Sequence, residues 1–156
     1  MTGRTDTATR LIHASPDTIY RAFVDAKLLM AWLPPQGMSG RALLFEPWEG
    51  GRYRIELTYE TAMTPGGAGK TTGRTDISSG RFLALEPGRR IVQSVEFESS
   101  NAAFAGEMIM TWSLEPAGEG TKVIITAENV PSGVSAEDHA AGLASSLENL
   151  ARFVRL

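Results

Sequence analysis

The sequence predicts an α+β fold: a curved antiparallel sheet of six to seven strands wrapped around one long C-terminal helix, with two short helices after the first strand. Three observations carry that expectation. From Ser39 to Glu128, apolar and polar residues alternate in short runs broken by Gly- and Pro-containing turns, which is the period of half-buried strands. Between Ser15 and Pro35, and again after Ser135, apolar residues recur at intervals of three and four, the period of amphipathic helices. The last helix must bury its apolar stripe against the sheet, and a strongly twisted sheet of this size curls around what it covers.

The elements follow in order. Thr7 to His13 alternate loosely and read as a first strand. Ser15 is a good N-cap with Pro16 in the first helical position, where a missing N–H costs nothing. Ile19, Ala22 and Phe23 form a narrow apolar stripe, and Asp25 caps a second short helix carrying Leu28, Leu29 and Trp32. Pro34-Pro35 stops it, because the residue before a proline is pushed out of the helical region. Arg41 to Glu46 is a strand. The run "EPWEGGRYRIELTYE" is a turn and then a strand with Tyr53, Ile55, Leu57 and Tyr59 on one face. Gly66 to Gly80, rich in Gly, Thr and Ser, reads as a long loop that could close over a cavity mouth. Arg81 to Leu85, Ile91 to Glu98, Glu107 to Glu115 and Thr121 to Glu128 are further strands, the last two joined by the "PAGEG" turn. Ser135 caps the final helix, with Asp138 in an imperfect capping box; Leu143, Leu147, Leu150 and Val154 make its stripe.

Bulk properties narrow the function. The 156 residues suit a single domain spanning 1–156, with no repeat and no linker. A net charge of -3, with scattered arginines, argues against a nucleic-acid surface. Without cysteine there is no disulfide, thiol nucleophile or thiolate metal site. Only His13 and His139 supply imidazoles, so neither a metal site nor a cofactor is expected. No apolar run is long enough to span a membrane, and "MTGRTDTATRL" lacks the apolar core of a signal peptide, so a cytoplasmic location is expected. "GGAGKTTG" imitates the end of a phosphate-binding loop, but Thr64 stands where the first glycine belongs and a strand pattern, not a helix, follows.

The ordered motifs resemble the helix-grip superfamily known as SRPBCC, which includes START lipid-transfer domains and the birch pollen allergen. The branch most similar is that of bacterial proteins resembling the C-terminal domain of the activator of heat-shock protein 90 ATPase. Ala14, Pro16, Asp17, Ile19, Tyr20, Ala22 and Phe23 match its opening pattern, and Trp32 its second-helix tryptophan. Pro47, Gly50, Gly51 and Tyr53 match a turn; Gly80, Phe82, Leu83, Leu85, Pro87, Arg90, Ile91 and Val92 match a strand–turn–strand. His139, Gly142, Leu147 and Leu150 match the terminal helix, where Leu143 replaces the usual tryptophan. The resemblance implies a cavity between sheet and C-terminal helix that holds a small apolar or amphipathic molecule.

Trp32, Tyr53, Gln93, Trp112, His139, Leu143 and Ser146 are the candidate lining residues. Each also has a plainer role as core or helix packing. Gly142, Ala144 and Ser146 are small enough to leave room along the helix. Glu96 and Glu98 alternate with Val95 and Phe97 and belong on the solvated side of their strand. Three functions are compatible with this pattern: a binder of a small apolar ligand; a cyclase-, aromatase- or hydrolase-like enzyme using His139 or a buried carboxylate as acid or base; and a protein-interaction module of the chaperone-activator kind. A homodimer is compatible with each.

Overall fold

A computed structural model describes residues 4–34, 37–59 and 75–154. Seven strands form one antiparallel sheet: β1 (Arg4–Ile12), β2 (Met38–Phe45), β3 (Arg52–Tyr59), β4 (Thr75–Glu86), β5 (Arg90–Phe97), β6 (Met108–Ala117) and β7 (Gly120–Val130). Their spatial order is β1-β7-β6-β5-β4-β3-β2, so neighbours in sequence are neighbours in space except that β1 crosses over to pair with β7. Helices α1 (Pro16–Val24) and α2 (Ala26–Trp32) fill that crossover, and α3 (Ala136–Val154) ends the chain.

Local chemistry sets the helix boundaries as expected. The Ser15 hydroxyl accepts from the Thr18 N–H at 3.2 Å, and the Asp25 carboxylate accepts from the Lys27 and Leu28 N–H groups at 2.9 and 3.2 Å. Asp25 is at once the end of α1 and the cap of α2, so the two short helices meet at an angle with no linker. At α3 the Ser135 hydroxyl accepts from the Asp138 N–H at 3.0 Å.

Three strands begin three or more residues earlier than the sequence predicts: β1 at Arg4 rather than Thr7, β2 at Met38 rather than Arg41, and β4 at Thr75 rather than Arg81, inside the predicted loop. Thr75 to Gly80 is polar and rich in Ser and Gly, a weak strand former. It is extended because β3 pairs with it from Thr58↔Thr75 to Tyr53↔Gly80, and long-range pairing overrides local preference. The lid expected at Gly66–Gly73 lies outside the described residues.

Register irregularities between Arg4 and Asp6, Ala42 and Leu44, and Phe82 and Ala84 bend the sheet. The helix answers that curvature unevenly. α3 approaches β1, α2 and α1 closely, and stands off from the middle strands β3 to β6. The end of the interior beside α1 and α2 is solid. There Phe23, Trp32 and Trp112 pack edge to face, with ring centroids 4.9, 4.7 and 5.8 Å apart. Trp32 is 1% exposed, and its Nε1–H donates to the Ala22 carbonyl at 3.0 Å, joining the two short helices.

Trp32→Ala removes this plug and orphans part of the α1 backbone. The expected loss is about 3–5 kcal/mol in urea denaturation, with Trp32→Phe falling between it and the native protein.

Candidate functional site

Where α3 stands off from the sheet, a chamber of about 620 Å³ remains. That is within the range of roughly 300–1,000 Å³ typical of small-molecule sites. Its walls follow from the two periodicities. Successive side chains of a strand alternate faces, so Tyr53, Ile55, Leu57 and Tyr59 of β3 all look inward, as do Gln93, Val95 and Phe97 of β5 and Met108, Met110 and Trp112 of β6. On α3 the spacing of three and four brings His139, Gly142, Leu143 and Ser146 to one face.

Most of the lining is apolar, and its polar groups fall into two sets. The first lies on the sheet. The Tyr53 phenol donates to the Ser94 carbonyl at 2.5 Å, and the Gln93 side chain bonds the same phenol oxygen. Burial pushes the Tyr53 hydroxyl well above its ordinary range, so it stays protonated. Gly80 makes this bond feasible: it faces Tyr53 across the β3–β4 ladder, and a Cβ there would fall 1.9 Å from the Ser94 carbonyl oxygen that the phenol uses. Trp112, 3% exposed, is different: its Nε1–H has no partner among the described residues. An unmade hydrogen bond on a buried donor is costly, and native interiors rarely leave one.

The second set lies at the start of α3. His139 Nδ1 is 2.6 Å from Asp6 Oδ2, and the two side chains are only 14% and 13% exposed. Arg4 grips the same carboxylate from the other side, donating from Nε and Nη2 at 2.9 Å each. Its Nη2 also donates to the Val134 carbonyl at 2.6 Å, fastening β1 to the segment before α3. The Arg4 bonds, and then those from His139, hold the Asp6 carboxyl below its usual range against the opposing effect of burial. An ionised Asp6 can only accept, so the imidazole hydrogen sits on Nδ1 and Nε2 of the neutral ring carries a lone pair. Asp138 also lines the chamber. Burial first, then the charges of Asp76 and Asp138, raises the Tyr59 hydroxyl.

Six of the seven candidate residues therefore line the same chamber: Tyr53, Gln93 and Trp112 from the sheet, and His139, Leu143 and Ser146 from α3. Trp32 does not. It lies behind Trp112 in the aromatic plug, because α2 packs against the filled end of the core. Glu96 points to solvent and Glu98 is bound by Arg54 at 2.6 Å, so neither enters the chamber. His13 is exposed in the turn after β1. Sequence reasoning missed Asp6 and Arg4. Both sit on an edge strand as ordinary alternating polar residues, and only the fold brings Asp6 to a histidine 133 positions away.

The family profile described as "Activator of Hsp90 ATPase homolog 1-like protein" matches residues 13–155. A crystal structure of a Chromobacterium violaceum protein is 32% identical, with 97% of each chain covered and a TM-score of 0.86. A Rhodobacter sphaeroides protein is 24% identical over 99% of this chain and 96% of its own, TM-score 0.75. A Mesorhizobium loti protein is 21% identical over 97% and 96%, TM-score 0.72. These last two share the fold. No functionally curated protein matches the sequence. The chain belongs to the family of Activator of Hsp90 ATPase homolog 1-like proteins.

Because the folded Asp6 carboxyl titrates lower than in the unfolded chain, its stabilisation is present above the ordinary carboxylate value of about 3.9 and is lost as pH falls through the lower folded value. Asp6→Asn is expected to cost about 1.5–3 kcal/mol in urea denaturation at pH 7. The gap between the two proteins should close as the pH is lowered from 4 toward 2.

Proposed function

We propose that this member of the Activator of Hsp90 ATPase homolog 1-like family holds one small apolar or amphipathic molecule in the chamber between the sheet and α3. The observation that carries the reading is Gly142. A glycine in a helix interior costs roughly 0.5–1 kcal/mol relative to alanine. Crowding usually explains such a residue, yet a Cβ at Gly142 would meet nothing within 4 Å. It stands on the chamber wall, between His139 and Leu143. What its missing side chain supplies is empty volume. Leu143 supports the same conclusion: a leucine at this wall position, where the family pattern carries tryptophan, leaves more space.

The lining suits such a guest. Met108 and Met110 offer flexible, polarisable contacts that adapt to an irregular shape. Gln93 at the sheet, and His139 at the helix, would orient a polar end. The Asp6–His139 contact favours a second reading: an enzyme working by acid and base in the same chamber. Chaperone-ATPase activation, which the family description brings in, draws on no feature of this chamber.

N-Phenyl-1-naphthylamine, a neutral apolar fluorophore, is expected to bind native protein one to one. Gly142→Leu should fill part of the chamber and weaken that binding at least tenfold, while thermal stability holds or rises because leucine is the better helix former. Equal binding by native and variant protein would count against the chamber as the site.

A further inference from the structure

The carboxylates of the chamber lining are gathered at one end. Asp76 of β4 and Asp138 of α3 line the chamber, and no lysine or arginine is among the described lining residues. The ladder gives Asp76 its direction. It stands directly opposite Leu57 of β3, and residues directly opposite across an antiparallel pair share a face. Leu57 looks into the chamber, so Asp76 does too, and it is only 7% exposed. Asp138 is exposed at the rim, in the first turn of α3. Burial first, and then the charges of these two carboxylates, raise the Tyr59 hydroxyl, so both stand at the Tyr59 end of the chamber.

Aromatic rings collect at the same end. Phe97 is opposite Ser78, which is two residues from Asp76 and on the same face of β4. Phe104 packs on Gly133, just before α3: a Cβ at Gly133 would lie 2.8 Å from the Phe104 ring. Carboxylates and aromatic rings attract the same kind of group, the first by opposite charge and the second through the negative π face. The opposing influence is the N-terminus of α3, whose N–H groups favour an anion. It is answered locally. The Ser135 hydroxyl and carbonyl accept from the Asp138 and His139 N–H groups at 3.0 and 2.9 Å, and Glu137 and Asp138 both add negative charge to that turn. Arg4 lies outside the lining, its guanidinium closed on Asp6 and the Val134 carbonyl.

We infer that the chamber selects a cationic amphiphile: an apolar body carrying a protonated amine, with the ammonium group at the end marked by Asp76 and Asp138 and the body among Met108, Met110 and Leu143. The inference rests on the chamber being a ligand site and names the class of guest. A fatty-acid carboxylate in the same place would meet two like charges. A neutral guest of the same length would gain nothing from them.

The test holds the apolar body constant and changes the head. Decylamine, decanol and decanoate each compete at pH 7 with N-phenyl-1-naphthylamine bound to native protein. Decylamine should displace the fluorophore at a concentration about tenfold below decanoate, with decanol between them. Asp138→Asn and Asp76→Asn should each narrow the amine-to-alcohol ratio at least roughly threefold. Asp138 is exposed, so its variant keeps the fold even where Asp76→Asn does not. Glu137→Gln removes the same charge from a neighbouring position outside the lining and should leave the ratio as in native protein. Decanol or decanoate displacing the fluorophore at the same concentration as decylamine or lower would overturn the cationic assignment and leave the chamber standing. A fluorophore held against all three competitors would overturn it as well. A native ratio in both aspartate variants, or an equal narrowing in Glu137→Gln, would overturn the placement of the head. Failure of the fluorophore itself to bind would overturn the chamber reading and the cationic guest together.

Discussion

A straight helix cannot lie flush against a sheet that curves in two directions, and the architecture of this protein is governed by that misfit. α3 has a 19-residue length and an apolar stripe to bury. It lies close to β1, α2 and α1, and its Leu147 and Leu150 are completely or almost completely covered. Farther along, the bent sheet falls away. Two short helices are inserted where the chain crosses from β1 to β2, and their Phe23 and Trp32 plug one end of the gap against Trp112. The rest of the gap stays hollow. Trp112 is the partition: it packs on the plug and lines the chamber.

The plug and the chamber obey different rules. In the plug, polar atoms are satisfied locally, as when the Trp32 indole bonds the Ala22 carbonyl. In the chamber wall some are satisfied by long-range partners, and the Trp112 indole by none among the described residues. Tyr53 reaches over the side-chain-free Gly80 to β5, which locks three strands at the wall. Arg4 and Asp6 do the same at the helix end, fixing the imidazole of His139 and pinning the first strand to the entrance of α3. Surface ion pairs such as Arg90–Glu86 add little by comparison, since exposed pairs contribute at most about 1 kcal/mol.

Much of this was legible in the sequence because it is written in local periodicity. Alternation from Tyr53 to Tyr59 and from Met108 to Leu114 tells which side chains share a face, and the spacing of His139, Gly142, Leu143 and Ser146 tells which part of α3 they occupy. Caps at Ser15, Asp25 and Ser135 are equally local. Trp32 was misplaced because periodicity says that a residue is buried, not which of two adjoining interiors receives it. Thr75 to Gly80 has a turn-like composition that predicts a loop, and its strand character comes from β3. Asp6 was invisible for a stronger reason: its partner is 133 residues away, and nothing nearby distinguishes it from Thr5 or Thr7.

The central claim is physical rather than chemical: the interior beside Trp112 is empty space walled by apolar side chains. Such cavities take up xenon, which needs volume and dispersion contacts but no hydrogen bonds. A crystal of the native protein pressurised with xenon should show the gas bound between α3 and the strands bearing Val95, Met108 and Met110. Electron density showing those side chains closed together around Leu143, with no xenon between them, would contradict the account.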